Sequence, residues 1–374
     1  MKEKSKIVWM DSLKLLACIG VFWSHFARVY ILRSEVGALE INGGVTAFIN
    51  LASAFLNGDF WVCVFCIVSG YLACRKKIEN IKELLISLWI RYLRFVFPFV
   101  AMALFVCFLS VTAGFPTAEY EEILQCGALA NSYKTAISVK TLLQSVFLFH
   151  SVLNAPMWMM QPLFLGNCFL YCYQYATRKT NKRLKMAAMA FVFLLCMVAG
   201  RKVRNLLYVA CCFLGYFLGQ KEYLGKNTKI KTVILLGLLV LLSGGQDGIL
   251  KIAANVMPIP SILYLGTYWH ILYAFCMLEL VYQTQAFQKV LEWSGFRKLS
   301  NLSFAIYMIH WPLICSVSLL LYGWLCGIFS YTVTFFFNFI ITNALVFAIA
   351  KIYTMTWEKW SFHAIGKIRA KFLA

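Results

Sequence analysis

The sequence predicts an all-α, polytopic integral membrane protein of about ten transmembrane helices with both termini in the cytoplasm. Three observations predict it. Hydrophobic residues make up 61% of the 374 and charged residues 13%, with a mean hydropathy of +0.74, which is more apolar surface than a soluble core hides. The apolar residues come in long runs, as a bilayer core of about 30 Å requires of helices (about 20 residues each), whereas membrane strands would alternate. Finally, when the ten runs are threaded with the N-terminus inside, 27 of the 35 Lys and Arg fall on the inner side, counting Lys14 in the first helix, and eight on the outer side. That is the asymmetry of the positive-inside rule.

The expected helices lie at 8–30, 59–74, 95–114, 156–176, 186–200, 204–219, 230–246, 262–283, 302–325 and 331–353. Lys2, Lys4 and Lys6 precede the first, as in a signal peptide. Lys14 and His25 interrupt that stretch and no small-residue cleavage site follows it, so it is retained as a membrane helix. Ser69, Gly70 and Tyr71 close the second helix, and Arg91 and Arg94 stand in the inside segment leading to the third. The outer loops 31–58 and 115–155 contain apolar stretches at 45–56 and 142–149 that are too short to span and read as re-entrant or interfacial helices. Arg201, Lys202 and Arg204, placed outside, are the weakest point of the topology. No composition change, linker or internal repeat divides the chain, so 1–374 reads as a single transmembrane domain, multi-pass in the plasma membrane (the bacterial inner membrane).

The net charge of +20 is dispersed between hydrophobic runs and lines no amphipathic face. The expected partner of that charge is the lipid bilayer and not nucleic acid. Most of the fourteen cysteines sit inside the apolar runs, as small hydrophobes do. Cys63 with Cys66 and Cys211 with Cys212 have no second pair with His at ligand spacing, so no metal site is expected.

Ionisable residues in membrane helices are costly and mark candidate sites. In the first helix Lys14 and His25 are eleven residues apart, which returns them to nearly the same face with a rise of about 16 Å. Asp11 lies one turn before Lys14, where it neutralises the lysine. Lys14 snorkelling inward with His25 at the outer end is the competing structural account. Arg91 and Arg94, three apart and followed by Pro98, present forked donors suited to phosphate, or simply anchor the helix at the inner surface. Ser69 with Gly70 suits close helix approach as well as a site lining. In the ninth helix Tyr307 and His310 stand one turn apart before Pro312, whose kink exposes polar backbone.

Taken together and in order, these features resemble acyltransferase family 3, membrane proteins that include bacterial O-acetyltransferases of surface polysaccharides. The resemblance spans nearly the whole chain. It is carried by Lys14 and His25 after Asp11, by Phe65, Ser69, Gly70, Tyr71 and Leu72, by Arg91, Arg94 and Pro98, by Trp158 at the start of a middle helix, by Tyr307, His310 and Pro312, and by Glu358 and Lys359 near the end. Lys14 stands where Arg is commoner, and Phe65 is offset by one residue. Met159, Met160, Gln161 and Pro162 after Trp158 depart from the larger polysaccharide-modifying members, which points to another branch, and with no second catalytic domain expected after the last helix the chain reads as a stand-alone membrane member.

The resemblance implies an acyltransferase with an acyl-CoA co-substrate, most often acetyl-CoA, no bound cofactor, and a carbohydrate or lipid-linked glycan hydroxyl as acceptor. It implies His25 and Lys14 as catalytic residues, His25 as general base or acyl carrier and Lys14 as the group that orients the donor or stabilises developing negative charge. Arg91 and Arg94 would bind the donor, and Asp11, Ser69, Trp158, Tyr307 and His310 would line the site. The chief rival is a transporter or flippase that uses the same intramembrane His and Lys. A second is a non-catalytic membrane receptor on the same fold.

Overall fold

The computed structural model describes residues 7–31, 57–134, 137–220, 229–242 and 266–373, and these are all helix and turn, with no strand among them. A helix occupies each of the ten expected segments. The helices are α1 (Val8–Tyr30), α2 (Gly58–Cys74), α3 (Ile81–Thr112), α4 (Thr117–Leu124), α5 (Gly127–Ala130), α6 (Val139–Leu148), α7 (Met160–Ala176), α8 (Lys182–Ala199), α9 (Asn205–Gly219), α10 (Lys229–Leu242), α11 (Gly266–Gln283), α12 (Gln285–Leu291), α13 (Ser294–Leu299), α14 (Ser303–Leu313), α15 (Leu319–Cys326), α16 (Tyr331–Tyr353) and α17 (Lys359–Leu373). The expected stretch at 45–56 lies outside the described residues, as do 243–246 and 262–265. The stretch at 142–149 falls on α6, whose start is set by a capping box between Ser138 and Thr141.

Three helical stretches, Ile81–Thr112, Ser294–Cys326 and Tyr331–Phe372, are long and apolar enough to cross a membrane. Apolar side chains also face outward in helical register. Leu104, Phe108 and Val111 on α3 and Phe191, Leu194, Leu195 and Val198 on α8 are exposed. Such stripes at i, i+3, i+4 and i+7 are core faces in a soluble protein, and lipid is the solvent that tolerates them outside. The start of α3 differs from expectation, because the helix begins at Ile81 and takes Arg91 and Arg94 into its interior. Its first turns carry enough polar residues to hide the helix from hydropathy, and Asn80 caps it by accepting from the Glu83 amide at 2.9 Å.

The chain forms two compact units, each assembled from three segments: Met1–Ala17, Asp59–Trp89 and Gln161–Asn301 in the first, Cys18–Gly58, Ile90–Met160 and Leu302–Ala374 in the second. In the first unit α2 and α9 pack backbone to backbone. A Cβ on Gly70 would overlap the Cys212 carbonyl, and one on Gly215 would overlap that of Ile67. Small residues permit this approach, which maximises dispersion contacts where no hydrophobic effect drives helices together. Lys231 pairs with buried Glu279 at 2.5 Å. Arg204, of the basic cluster expected outside, pairs with Asp59 at 2.5 Å, which offsets its charge.

The second unit is tied together by buried polar side chains. Tyr30 of α1 meets Ser318 at 2.8 Å. Ser318 donates to Asn338 of α16 at 3.0 Å, and Thr342 donates to Ser318 at 3.0 Å. Trp23 donates to Asn343 at 2.9 Å. Ser318 ends a turn of π-helix, Ile314–Ser318, that follows Pro312. Buried side-chain bonds of this kind fix the C-terminal half of α1 against α16.

Candidate functional site

Two histidines meet in the second unit. The rings of His25 on α1 and His310 on α14 are stacked, with centroids 5.4 Å apart and planes 26° from parallel. Trp311 packs against His25 at 5.1 Å, and Phe22 and Tyr307 each lie 5.8 Å from His310. Helical spacing produces the cluster, since Phe22 with His25 and Tyr307 with His310 and Trp311 are three or four residues apart and share faces.

His310 is fully buried. Its Nδ1 lies 3.1 Å from the Ile306 carbonyl oxygen, one turn back. A carbonyl only accepts, so Nδ1 carries the proton and the neutral ring keeps a lone pair on Nε2. That Nε2 is buried without a hydrogen-bond partner. An unsatisfied buried polar atom costs about 1–3 kcal/mol, a cost that a proton donor on a bound molecule would relieve. His25 beside it is partly exposed.

Tyr307 turns away from the imidazoles. Its hydroxyl donates to the Pro156 carbonyl, and the Asn154 side chain donates to the Met308 carbonyl at 2.7 Å. These two bonds clamp the turn Ala155–Met159, with Trp158 on it, against α14. Tyr307→Phe, which deletes one bond and little else, is expected to lower stability by about 0.5–1.5 kcal/mol. Thermal unfolding in detergent at the wild-type temperature would show that the clamp contributes nothing.

A cavity of about 280 Å³ adjoins this cluster, with Asn131, Ser132, Tyr133, Lys134, His150 and Trp311 in its lining. Trp311 is the wall it shares with His25. Tyr133 adopts a left-handed backbone conformation with φ 56°, and its ring lies 3.7 Å from that of Phe115 and nearly parallel to it. Burial, with the nearby Cys315 adding to it, pushes the Tyr133 phenol well above its ordinary value, so it stays a neutral hydroxyl.

The other expected residues are distributed as follows. Arg91 and Arg94 also belong to the second unit, where the Arg91 guanidinium lies 5.1 Å over the Phe95 ring and Arg94 is exposed. Pro98 deprives the Arg94 carbonyl of its helical donor. Asp11, Lys14 and Ser69 belong to the first unit. Lys14 pairs with Asp11 at 2.5 Å, and Ser69 accepts from the Asn167 amide at 3.0 Å. Sequence reasoning missed Trp311, Asn154 and Tyr133. Trp311 occupies the unspecified position between His310 and Pro312, and the Asn154-Ala155-Pro156 run ahead of Trp158 was the available signal for Asn154. Tyr133 has no pattern around it, because its position depends on a loop.

A family model described as an acyltransferase domain matches residues 7–354. No curated protein and no solved structure matches the chain.

Proposed function

The chain belongs to acyltransferase family 3, and from that premise we propose that it moves an acyl group, most simply acetyl, from acyl-CoA to a hydroxyl of a cell-surface carbohydrate or glycolipid. The observation that carries the proposal is the unpartnered Nε2 of His310 beside His25. It supplies a fixed lone pair within a cluster that also holds a second, more accessible imidazole. General base catalysis needs such a group in reach of the proton it removes.

In the proposed reaction the acceptor oxygen attacks the thioester carbonyl while His25 takes the hydroxyl proton. The new C–O bond forms, the C–S bond breaks, and the histidine returns the proton to the departing thiolate, so that acyl-CoA and alcohol become ester and free CoA. His310 stacks on the His25 ring and holds it in place. Arg91 and Arg94, three apart on α3, bind donor phosphates by charge-assisted hydrogen bonds. The topology read from the sequence puts these arginines at the inner side and His25 at the outer side, as a cytoplasmic donor and an external acceptor require.

The test is transfer of label from radiolabelled acetyl-CoA, in membranes carrying the protein, into lipid-linked and polymeric carbohydrate. Label absent from every fraction, with a long-chain acyl-CoA failing as well, would sink the proposal in favour of transport. For the arginines, Arg91→Gln is expected to raise the KM for donor about tenfold, the loss of one charged hydrogen bond of about 1.5–3 kcal/mol partly offset by Arg94. An unchanged donor KM would remove Arg91 from the donor site.

A further inference from the structure

The geometry points to the cavity beside Trp311 as the acceptor subsite, built to take one sugar-sized ring carrying an anionic substituent. This rests on the acyl-transfer proposal and adds to it which end of the reaction the cavity serves and what it recognises. Its volume is about 280 Å³, at the lower edge of the roughly 300–1,000 Å³ typical of small-molecule sites. One pyranose fills that space, whereas the nucleotide of an acyl-CoA exceeds it. Hence the cavity does not house the donor's nucleotide.

Its lining matches a polyhydroxylated ring. Asn131, Ser132 and His150 offer hydrogen-bonding groups, and the Tyr133 ring, braced on one face by Phe115, is a rigid aromatic wall. Two backbone turns at the cavity are left-handed, one in the lining and one at the C-cap of α6. Two of the three non-glycine residues with positive φ among the described residues are Tyr133 in the lining and Phe149, next to His150. Such conformations persist only where the surroundings enforce them, and Thr117 does so here by donating to the Ser132 carbonyl at 2.8 Å.

The charge of the lining is one-sided. Among the described residues of the lining Lys134 is a fixed cation and no carboxylate is present. Lys134 has a loose partner, Glu121, at 3.9 Å, and both side chains are substantially exposed. Exposed pairs of this kind are weak, so an anionic ligand competes for the ammonium without a large cost. Trp311, which lines the cavity, also packs against His25 with ring centroids 5.1 Å apart, which sets the cavity next to the cluster that holds the proposed base.

The experiment compares two acceptors that differ only in a carboxylate, tritiated octyl β-D-glucuronide and octyl β-D-glucoside, by equilibrium binding to the detergent-solubilised full chain. The expected result is glucuronide binding about tenfold tighter, the order of one charge-assisted contact. Lys134→Gln should erase that difference, Tyr133→Ala should weaken both ligands, and Lys140→Gln, exposed and outside the lining, should change neither. Equal binding of the two ligands by the wild type, or a preference that survives Lys134→Gln, overturns the subsite. Acyl transfer is followed in parallel with labelled acetyl-CoA. Preferential glucuronide binding with label absent from every membrane fraction, from acetyl-CoA and long-chain acyl-CoA alike, supports a site for an anionic ring while sinking the transfer proposal. Label entering a membrane glycan without any glucuronide preference does the reverse.

Discussion

Replacing His25 or His310 by alanine is expected to lower acyl transfer by about a hundred- to ten-thousand-fold, the usual contribution of general acid–base catalysis. The two effects should not add. The rings are stacked 5.4 Å apart, and groups that act as a unit lose most of their contribution when either is removed, so the double variant should resemble the worse single one. Because His310 is fully buried, His310→Ala also opens a cavity. His310→Gln is the safer companion, since its amide can still donate to the Ile306 carbonyl while having no titratable lone pair. Thermal unfolding of each variant separates collapse of the fold from loss of the base. A His310→Gln enzyme with wild-type turnover would make His310 a structural residue, and an additive double variant would show that the two imidazoles act independently.

The second large effect concerns stability. Gly70→Ala and Gly215→Ala are each expected to destabilise the protein by about 3 kcal/mol or more, at or beyond the upper end of ordinary overpacking. At both positions the added methyl meets a backbone carbonyl, of Cys212 and Ile67 respectively. A carbonyl cannot change rotamer, so α2 and α9 must separate and forfeit dispersion contacts along their crossing. Gly366→Ala is the control, because nothing lies within 4 Å of its added Cβ in helix α17. It should be neutral or stabilise the helix by up to about 1 kcal/mol. Unfolding of Gly70→Ala at the wild-type temperature would contradict the close crossing. The same pair of contacts explains the Ser69-Gly70-Tyr71 run: its glycine serves helix packing and its serine bonds Asn167.

Helix content and sequence position were legible because hydropathy is a one-dimensional property. A run of apolar residues long enough to satisfy its own backbone bonds in lipid becomes a helix wherever it packs, and each of the ten runs does so. The start of the third helix was missed because polar residues continue it, as at the first turns of α3, whereas the π turn after Pro312 falls inside the expected ninth helix.

The sequence by itself determined the all-helical membrane class, the family and the identity of the local pairs, because Asp11 with Lys14, Tyr307 with His310 and Arg91 with Arg94 are fixed by spacing along one helix. Only the tertiary structure decided that His25 stacks on His310, residues 285 positions apart in the chain, that Tyr307 anchors the Trp158 turn, and that Tyr133, Lys134 and Trp311 enclose a cavity. The reason is physical. Periodicity specifies which face a side chain occupies on its own helix, whereas the partner of that face depends on how helices cross, and in lipid, where apolar side chains are equally at home against tails or one another, crossing is set by shape and by a few buried hydrogen bonds.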